Sequence, residues 1–199
     1  MADVAIVANG GANIASLRFA LNRLGVSSHV TANPDELRQA ERVILPGVGA
    51  AGDAMARLRA LDLAEVIPQL TQPVLGICLG MQLLFASSEE DDSQCLGIIP
   101  ARVVRFPPRE HFPVPHMGWN RLQVRQESSL TAGFTAADDY VYFVHSYAAP
   151  PGQWTLATTD YGGEFSSLVR MKNFVGAQFH PERSAAAGSR LLANFLAHA

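Results

Sequence analysis

The sequence predicts an α/β fold: a single domain over residues 1–199 with a mostly parallel central sheet, helices on both faces and an antiparallel edge extension. Three observations predict it. Up to Leu45 the chain alternates short apolar runs with amphipathic helical patterns, the order that a parallel sheet with crossover helices produces. An apolar run ends at Cys78 and an apolar helical pattern starts at Leu79, with Gly76 and Gly80 on either side. Beyond Gly97 the character changes to shorter strand-like runs between proline-rich loops.

Taken in order, Val4 to Ala8 is a short buried strand that runs into a Gly10–Gly11 turn. Helix follows over Asn13 to Leu24, with Ile14, Leu17, Leu21 and Leu24 at helical spacing and Gly25 as the stop. The two glycines lack the G-x-G-x-x-G spacing of a phosphate cradle, so they read as an ordinary βα turn. Ser28 to Thr31 is the second strand. Asn33-Pro34-Asp35-Glu36 starts a helix with a cap, a proline at the first position and early acids. Arg42 to Leu45 is the third strand, and Pro46-Gly47-Val48-Gly49 turns out of it. The run from Pro73 ends in the strand–helix switch at Cys78.

Ser87 to Gln94 is polar, and Glu89-Glu90-Asp91-Asp92 reads as a solvated loop face. Ile98 to Phe106, Leu122 to Val124 and Tyr140 to Val144 are strands on the edge of one sheet. Phe174 to Phe179 is a further apolar strand. Ser184 to Ala197 closes the chain as a helix whose Leu191, Leu192, Phe195 and Leu196 cover the sheet. No linker, repeat or low-complexity segment divides the sequence.

Composition narrows the function classes. With 199 residues, 48% hydrophobic and 17% charged, the chain suffices for one full core. A net charge of −3 with dispersed Lys and Arg gives no electrostatic case for nucleic acid. Two cysteines do not make a disulfide framework, so a reducing compartment is expected. The start has no basic n-region, and no apolar run approaches a membrane span; a cytoplasmic protein without membrane contact is expected. No His or Cys cluster has zinc spacing, and no metal or cofactor is expected. Cys95 reads as structural, and His29, His111 and His198 receive no role.

The chemistry is expected at Cys78. A G-x-C-x-G frame at a strand-to-helix turn has the logic of a nucleophile elbow, where small neighbours let the chain fold back on itself. The free N–H groups of a helix start favour thiolate over thiol. Such a nucleophile needs a base, and the base an orienting group. His180 follows the last strand, Pro181 forces the chain out of regular structure, and Glu182 stands two residues on. Acyl transfer also needs N–H donors where the oxyanion develops; the N–H of Leu79 is one, and the glycine turn after Leu45 can present others.

Leu45-Pro46-Gly47-Val48-Gly49, Gly76-Ile77-Cys78-Leu79-Gly80-Met81-Gln82 and Gln178-Phe179-His180-Pro181-Glu182 together resemble the class I (triad) glutamine amidotransferases, a flavodoxin-like fold. Gly97-Ile98-Ile99-Pro100, Val103-Val104-Arg105-Phe106, Pro115-His116-Met117-Gly118-Trp119-Asn120 and Tyr142-Phe143-Val144-His145-Ser146-Tyr147 are similar to the glutaminase subunits of imidazole glycerol phosphate synthase. The first loop departs: Val7-Ala8-Asn9-Gly10-Gly11-Ala12-Asn13-Ile14-Ala15-Ser16 stands where the family usually has an aspartate–tyrosine and a G-N-L run.

The resemblance implies a Cys78–His180–Glu182 triad that hydrolyses L-glutamine to glutamate and ammonia through a thioester. It implies a second oxyanion donor from the Val48–Gly49 peptide, and glutamine contacts at Gly47, Gln82, His145, Ser146 and Tyr147. It further implies a heterodimer with a (β/α)8-barrel cyclase, which uses the ammonia in histidine biosynthesis, and weak activity without that partner. His116 beside Met117, Gly118 and Trp119 suits either core or an interface anchor; the resemblance places His116, Met117, Trp119 and Arg183 on the partner side. Arg183 stands where the family usually has lysine. An amidotransferase for another pathway, or a catalytically silent scaffold of the same fold, are the alternatives.

Overall fold

The computed structural model describes residues 3–10, 13–135 and 139–198. Gly11 and Ala12, part of the expected first turn, lie outside the described residues. The chain runs β1 (Asp3–Val7), α1 (Ile14–Arg23), β2 (Ser27–Thr31), α2 (Pro34–Gln39), β3 (Arg42–Gly47), α3 (Ala51–Ala60), α4 (Leu63–Val66), β4 (Val74–Cys78) and α5 (Leu79–Gln82). Then come the strands β5 (Phe85–Ser88), β6 (Ser93–Gln94), β7 (Ile99–Arg105), β8 (His116–Arg121), β9 (Gln123–Val124), β10 (Tyr140–His145), β11 (Tyr147–Ala148), β12 (Thr155–Asp160), β13 (Glu164–Met171) and β14 (Phe174–Ala177), and finally α6 (Ala185–His198).

The main sheet has the order β2-β1-β3-β4-β14-β13-β12-β9. Its first five strands are parallel; β13, β12 and β9 continue it antiparallel. Alternation along β1 divides the core. Val4 and Ile6 pack with Leu17 and Leu21 of α1 and Leu191, Leu192 and Phe195 of α6, whereas Ala5 and Val7 pack with Leu37 of α2 and Met55 and Leu58 of α3. Both faces of the inner parallel strands are therefore dry, which is why β1, β3, β4 and β14 are mostly apolar, whereas the edge strand β2 is polar and only partly buried. Local signals explain the helix ends. Asn33 Oδ1 accepts from the Asp35 N–H at 2.8 Å and Pro34 opens α2. Gly25, at φ +76°, leaves α1 through a left-handed turn.

Two expectations change. The strands after Gly97 do not share one edge. β7 sits in a four-stranded sheet of order β11-β7-β5-β6, β8 and β10 form a ribbon of their own, and only β9 reaches the main sheet. The antiparallel half of that sheet is instead β13 and β12, whose buried Thr155, Thr159, Ser166 and Ser167 interrupt any apolar pattern. Their hydroxyls satisfy one another, Thr155 Oγ1 to Ser166 Oγ at 2.8 Å and Ser167 Oγ to Thr159 Oγ1 at 2.7 Å. The helix after Cys78 lasts a single turn, because the chain passes straight into β5: Leu83 O accepts from the Leu96 N–H at 2.9 Å and Leu84 O from the Ile98 N–H at 3.0 Å, in place of continuing helical bonds.

Candidate active site

β4 ends at Cys78 with φ 54° and ψ −113°, a left-handed backbone that a side chain tolerates only when its surroundings fix it. The surroundings are the two flanking glycines. A Cβ on Gly80 would stand 1.8 Å from Leu45 O, and one on Gly76 would stand 2.6 Å from Gly80 O. The elbow thus folds directly onto β3, where Gly47 pairs with Cys78 in register. Cys78 is buried, with Sγ 3.7 Å from Val144 O and 3.8 Å from Gln178 Nε2.

β14 runs parallel beside β4, with Ala177 opposite Ile77, and so delivers the residues after it to the same edge. The His180 N–H donates to Tyr142 O at 3.0 Å. Ser184 Oγ ties the turn down by donating to His180 O at 2.7 Å and accepting from the Tyr142 N–H at 2.9 Å. Pro181–Arg183 makes one 3₁₀ turn that brings Glu182 back under the imidazole. The Glu182 Oε1–His180 Nδ1 distance is 2.9 Å, and both side chains are buried. Burial opposes a charge on His180, but hydrogen bonds to Cys78 and Glu182 and the charges of both outweigh it, raising the imidazole to about 10.

A cleft of about 390 Å³ opens over this edge, lined by Cys78, His180, Val48, Gly49 and Leu79 among others. Of the residues expected to hold glutamine, Gln82, His145, Ser146 and Tyr147 line it. Gly47 does not; it packs against the elbow, where a Cβ would meet Gly80 N at 2.7 Å. Gln82 is buried, and its Nε2 donates both to Tyr147 O at 2.9 Å and to Gln178 Oε1 at 3.0 Å, so its free acceptor is Oε1. The His145 ring is also engaged twice. Its Nδ1 donates to Tyr147 O at 2.8 Å, and its Nε2 lies 3.0 Å from His116 Nδ1, leaving no ring nitrogen for a ligand.

Glu90 is a cleft residue that the sequence reading placed in solvent. Its Oε2 accepts from the Ala51 N–H at 2.9 Å, at the start of α3. Burial raises its carboxyl above the usual carboxylate value, against the pull of that hydrogen bond. Glu89 accepts from the Arg105 N–H at 2.8 Å, so the acidic run is anchored to the fold at two points. No sequence period marks Glu90, because what buries it is the distant α3. Asn13, Pro115 and Val144 also line the cleft without having been singled out, and Gln178 sits inside the Gln178–Glu182 motif without an assigned role. Among the described residues no three His, Cys, Asp or Glu side chains gather as a metal site requires.

The segment His116–Trp119 divides by strand alternation. Met117 and Trp119 are exposed at 63% and 53%, whereas His116 is turned inward at 3%. His116 is therefore a core residue and not an interface residue, stacked between Phe143 and Tyr161 at ring-centre distances of 4.8 and 4.0 Å. Trp119 meets Tyr142 edge-on at 6.0 Å, and the Arg183 guanidinium lies over Tyr142 at 4.8 Å. Arg183 also lines the cleft, so the exposed aromatic face and the cleft mouth share a border.

A family model described as glutamine amidotransferase class-I matches residues 5–199. The chain is 53% identical to an imidazole glycerol phosphate synthase subunit HisH of Xanthomonas campestris pv. campestris, covering 98% of each, and 49% identical to one of Idiomarina loihiensis, covering 98% of this chain and 97% of that one. A solved glutamine amidotransferase superposes with a TM-score of 0.74 at 21% identity, covering 97% and 96% of the two chains. Another, from Thermotoga maritima, gives 0.67 at 20% identity over 96% and 80%. The fold carried by those distant structures and the sequence shared with full-length relatives agree, and the chain belongs to the class-I glutamine amidotransferase family.

Proposed function

We propose that this chain is the glutaminase subunit of an imidazole glycerol phosphate synthase, and that Cys78, His180 and Glu182 carry out the hydrolysis. The observation that carries the reading is the elbow. Cys78 is held at positive φ beside His180, whose Nδ1 is 2.9 Å from a buried carboxylate. The high identity to subunits of that name over nearly the whole chain supports the pathway.

In the proposed reaction His180 holds the proton of Cys78, and the thiolate attacks the side-chain carboxamide carbon of L-glutamine. The tetrahedral oxyanion takes N–H donors from Leu79 and the Val48–Gly49 peptide, a class of contact worth about 10²- to 10³-fold in kcat per donor. His180 returns its proton to the departing nitrogen as the C–N bond breaks and ammonia leaves. Water, deprotonated by His180, then cleaves the γ-glutamyl thioester to glutamate and regenerates Cys78. Glu182 keeps the imidazole in one tautomer and stabilises its cationic form. Glu90 suits the α-ammonium group of the substrate and Arg183 the carboxylate side of the cleft. Ammonia released into bulk water would be protonated and diluted, so the product calls for an adjoining acceptor site. A (β/α)8-barrel cyclase docked on the Met117–Trp119 face would supply it.

The test is glutamate release from glutamine by wild type and Cys78→Ala, with and without the cognate cyclase and its ribotide ligand. Release that depends on the partner and disappears in Cys78→Ala is expected. High activity without a partner would argue for a free glutaminase, and inactivity in an assembled complex would argue for a scaffold.

A further inference from the structure

We propose that Gln178 is the side-chain amide donor to the Cys78 sulfur, and that Gln82, Tyr147, His145 and His116 fix its polarity. The inference rests on Cys78 being the nucleophile, and deepens that reading.

Gln178 stands one residue beyond the pairing of Ala177 with Ile77, level with Cys78, and is fully buried. A buried primary amide has two possible orientations, and the network here permits one. Gln82 Nε2 faces two oxygens, Tyr147 O at 2.9 Å and Gln178 Oε1 at 3.0 Å. Turning Gln82 over would set its oxygen against the Tyr147 carbonyl. Turning Gln178 over would set its NH2 against the NH2 of Gln82. Gln178 Oε1 is therefore committed to Gln82, and Nε2 is left aimed at Sγ, 3.8 Å away.

The anchor of this arrangement is Tyr147 O, which also accepts from His145 Nδ1 at 2.8 Å. That bond puts the His145 proton on Nδ1 and leaves Nε2 to accept from His116 Nδ1 at 3.0 Å. His116 Nε2 in turn accepts from Asn120 Nδ2, 3.3 Å away, which also donates to Asp160 O at 2.9 Å. Each N–H in the series has its own acceptor, two each for the amide NH2 groups of Gln82 and Asn120, so no member can reverse alone. Burial holds both imidazoles neutral, His116 down to about 4 and His145 down to about 3.

The consequence concerns the two protonation states of the nucleophile. As a thiol, Cys78 donates to Val144 O, 3.7 Å away, and Gln178 is a loose neighbour. As a thiolate it can only accept, and the Gln178 N–H is a donor already directed at it, 3.8 Å away. Hydrogen bonds to an ion shorten and strengthen relative to neutral ones. Gln178 thus favours the thiolate and holds its rotamer, with little bearing on glutamine binding.

Two substitutions separate donor from scaffold. Gln178→Glu keeps the oxygen that Gln82 needs and puts an oxygen where the N–H faced sulfur; Gln178→Met keeps the length and removes both. In the assembled complex with its cyclase, each is expected to lower kcat by about tenfold or more while KM for glutamine stays within about threefold. Iodoacetamide alkylation of Cys78, followed by peptide mass against pH, is expected to move its midpoint up by about one pH unit or more, further for Glu than for Met. An unmoved alkylation midpoint overturns the proposal, whether or not activity falls, because a purely structural role would leave it in place. If neither variant folds, the side-chain 15NH2 resonance of Gln178 in the unmutated protein decides. It should shift as Cys78 ionises and stay fixed in Cys78→Ala; an unresponsive resonance rejects the donor role. Wild-type activity with unaffected Gln178 variants sinks only this inference, whereas a wild type as inactive as Cys78→Ala sinks the glutaminase reading beneath it.

Discussion

At Cys78 three residues of backbone decide everything that follows. The positive φ turns the side chain up from the sheet edge, and it is possible only because Gly80 sits against Leu45 O without a Cβ. Gly80→Ala is expected to destabilise the protein by at least about 3 kcal/mol, since the clash is with backbone that cannot rotate away. Urea unfolding of the purified variant measures it; a loss within about 0.5 kcal/mol would mean that the elbow is not so tightly closed. The next residue-scale consequence lies at His180, raised to about 10 by its bonds to Cys78 and Glu182 in spite of burial. Because its folded value lies above the ordinary 6.5, the stabilisation is complete below about pH 6.5 and is lost as pH climbs towards 10. Glu182→Gln removes one of the charges that favour the imidazolium. The His180 titration, followed by ring 13C shifts, should move down, and kcat should fall by about 10²- to 10⁴-fold, with the variant still folded at neutral pH.

Elements show why some of the site could be read from the chain and some could not. The elbow and the His180–Glu182 turn were legible because each is local: two glycines around a cysteine, and a proline between histidine and glutamate. β1 and β3 were legible because a sheet buried on both faces needs apolar strands and amphipathic covers, and the polar edge strand β2 was placed by its position between two helices. β12 and β13 were not, since their buried hydroxyls pair with each other and leave no hydrophobic trace. Glu90 was misread for a related reason. A carboxylate in an acidic run looks solvated until the start of α3, far away in sequence, is laid against it. β8 was half legible: its composition could not separate core from surface, but alternation puts His116 and Asn120 inward and Met117 and Trp119 outward. The outward pair gives an element-scale prediction. Trp119→Ala should weaken association with the cyclase by about 2 kcal/mol, or about 30-fold in Kd, without lowering the melting temperature of the isolated subunit by more than a few degrees. Titration calorimetry reads the first and a thermal melt the second. Unchanged affinity would move the docking face elsewhere.

Across the whole molecule, the aromatic centre beneath the β8–β10 ribbon joins the sheet edge to the exposed face, and it is built around two neutral imidazoles. Burial depresses His116 to about 4 and His145 to about 3, and for His145 the neighbouring His116 and His180 add to that depression against the pull of Tyr147 O. Phe106, Phe143, Phe165 and Tyr161 surround the pair. In the unfolded chain both rings titrate near the ordinary 6.5, so below that value unfolding takes up protons that folding refuses. The stability they support is whole above about pH 6.5 and declines as pH falls towards 4, each ring contributing about 1.4 kcal/mol of loss per pH unit in that window. His180 adds no slope there, because its own contribution is already complete below 6.5. The melting temperature should therefore rise slightly from neutral pH down to about 6.5, as the His180 contribution becomes complete, and then fall as pH drops towards 4. A His116→Gln, His145→Gln protein should start from a lower melting temperature but lose less of it between pH 6.5 and 5. Parallel curves for the two proteins would show that the acid sensitivity arises elsewhere.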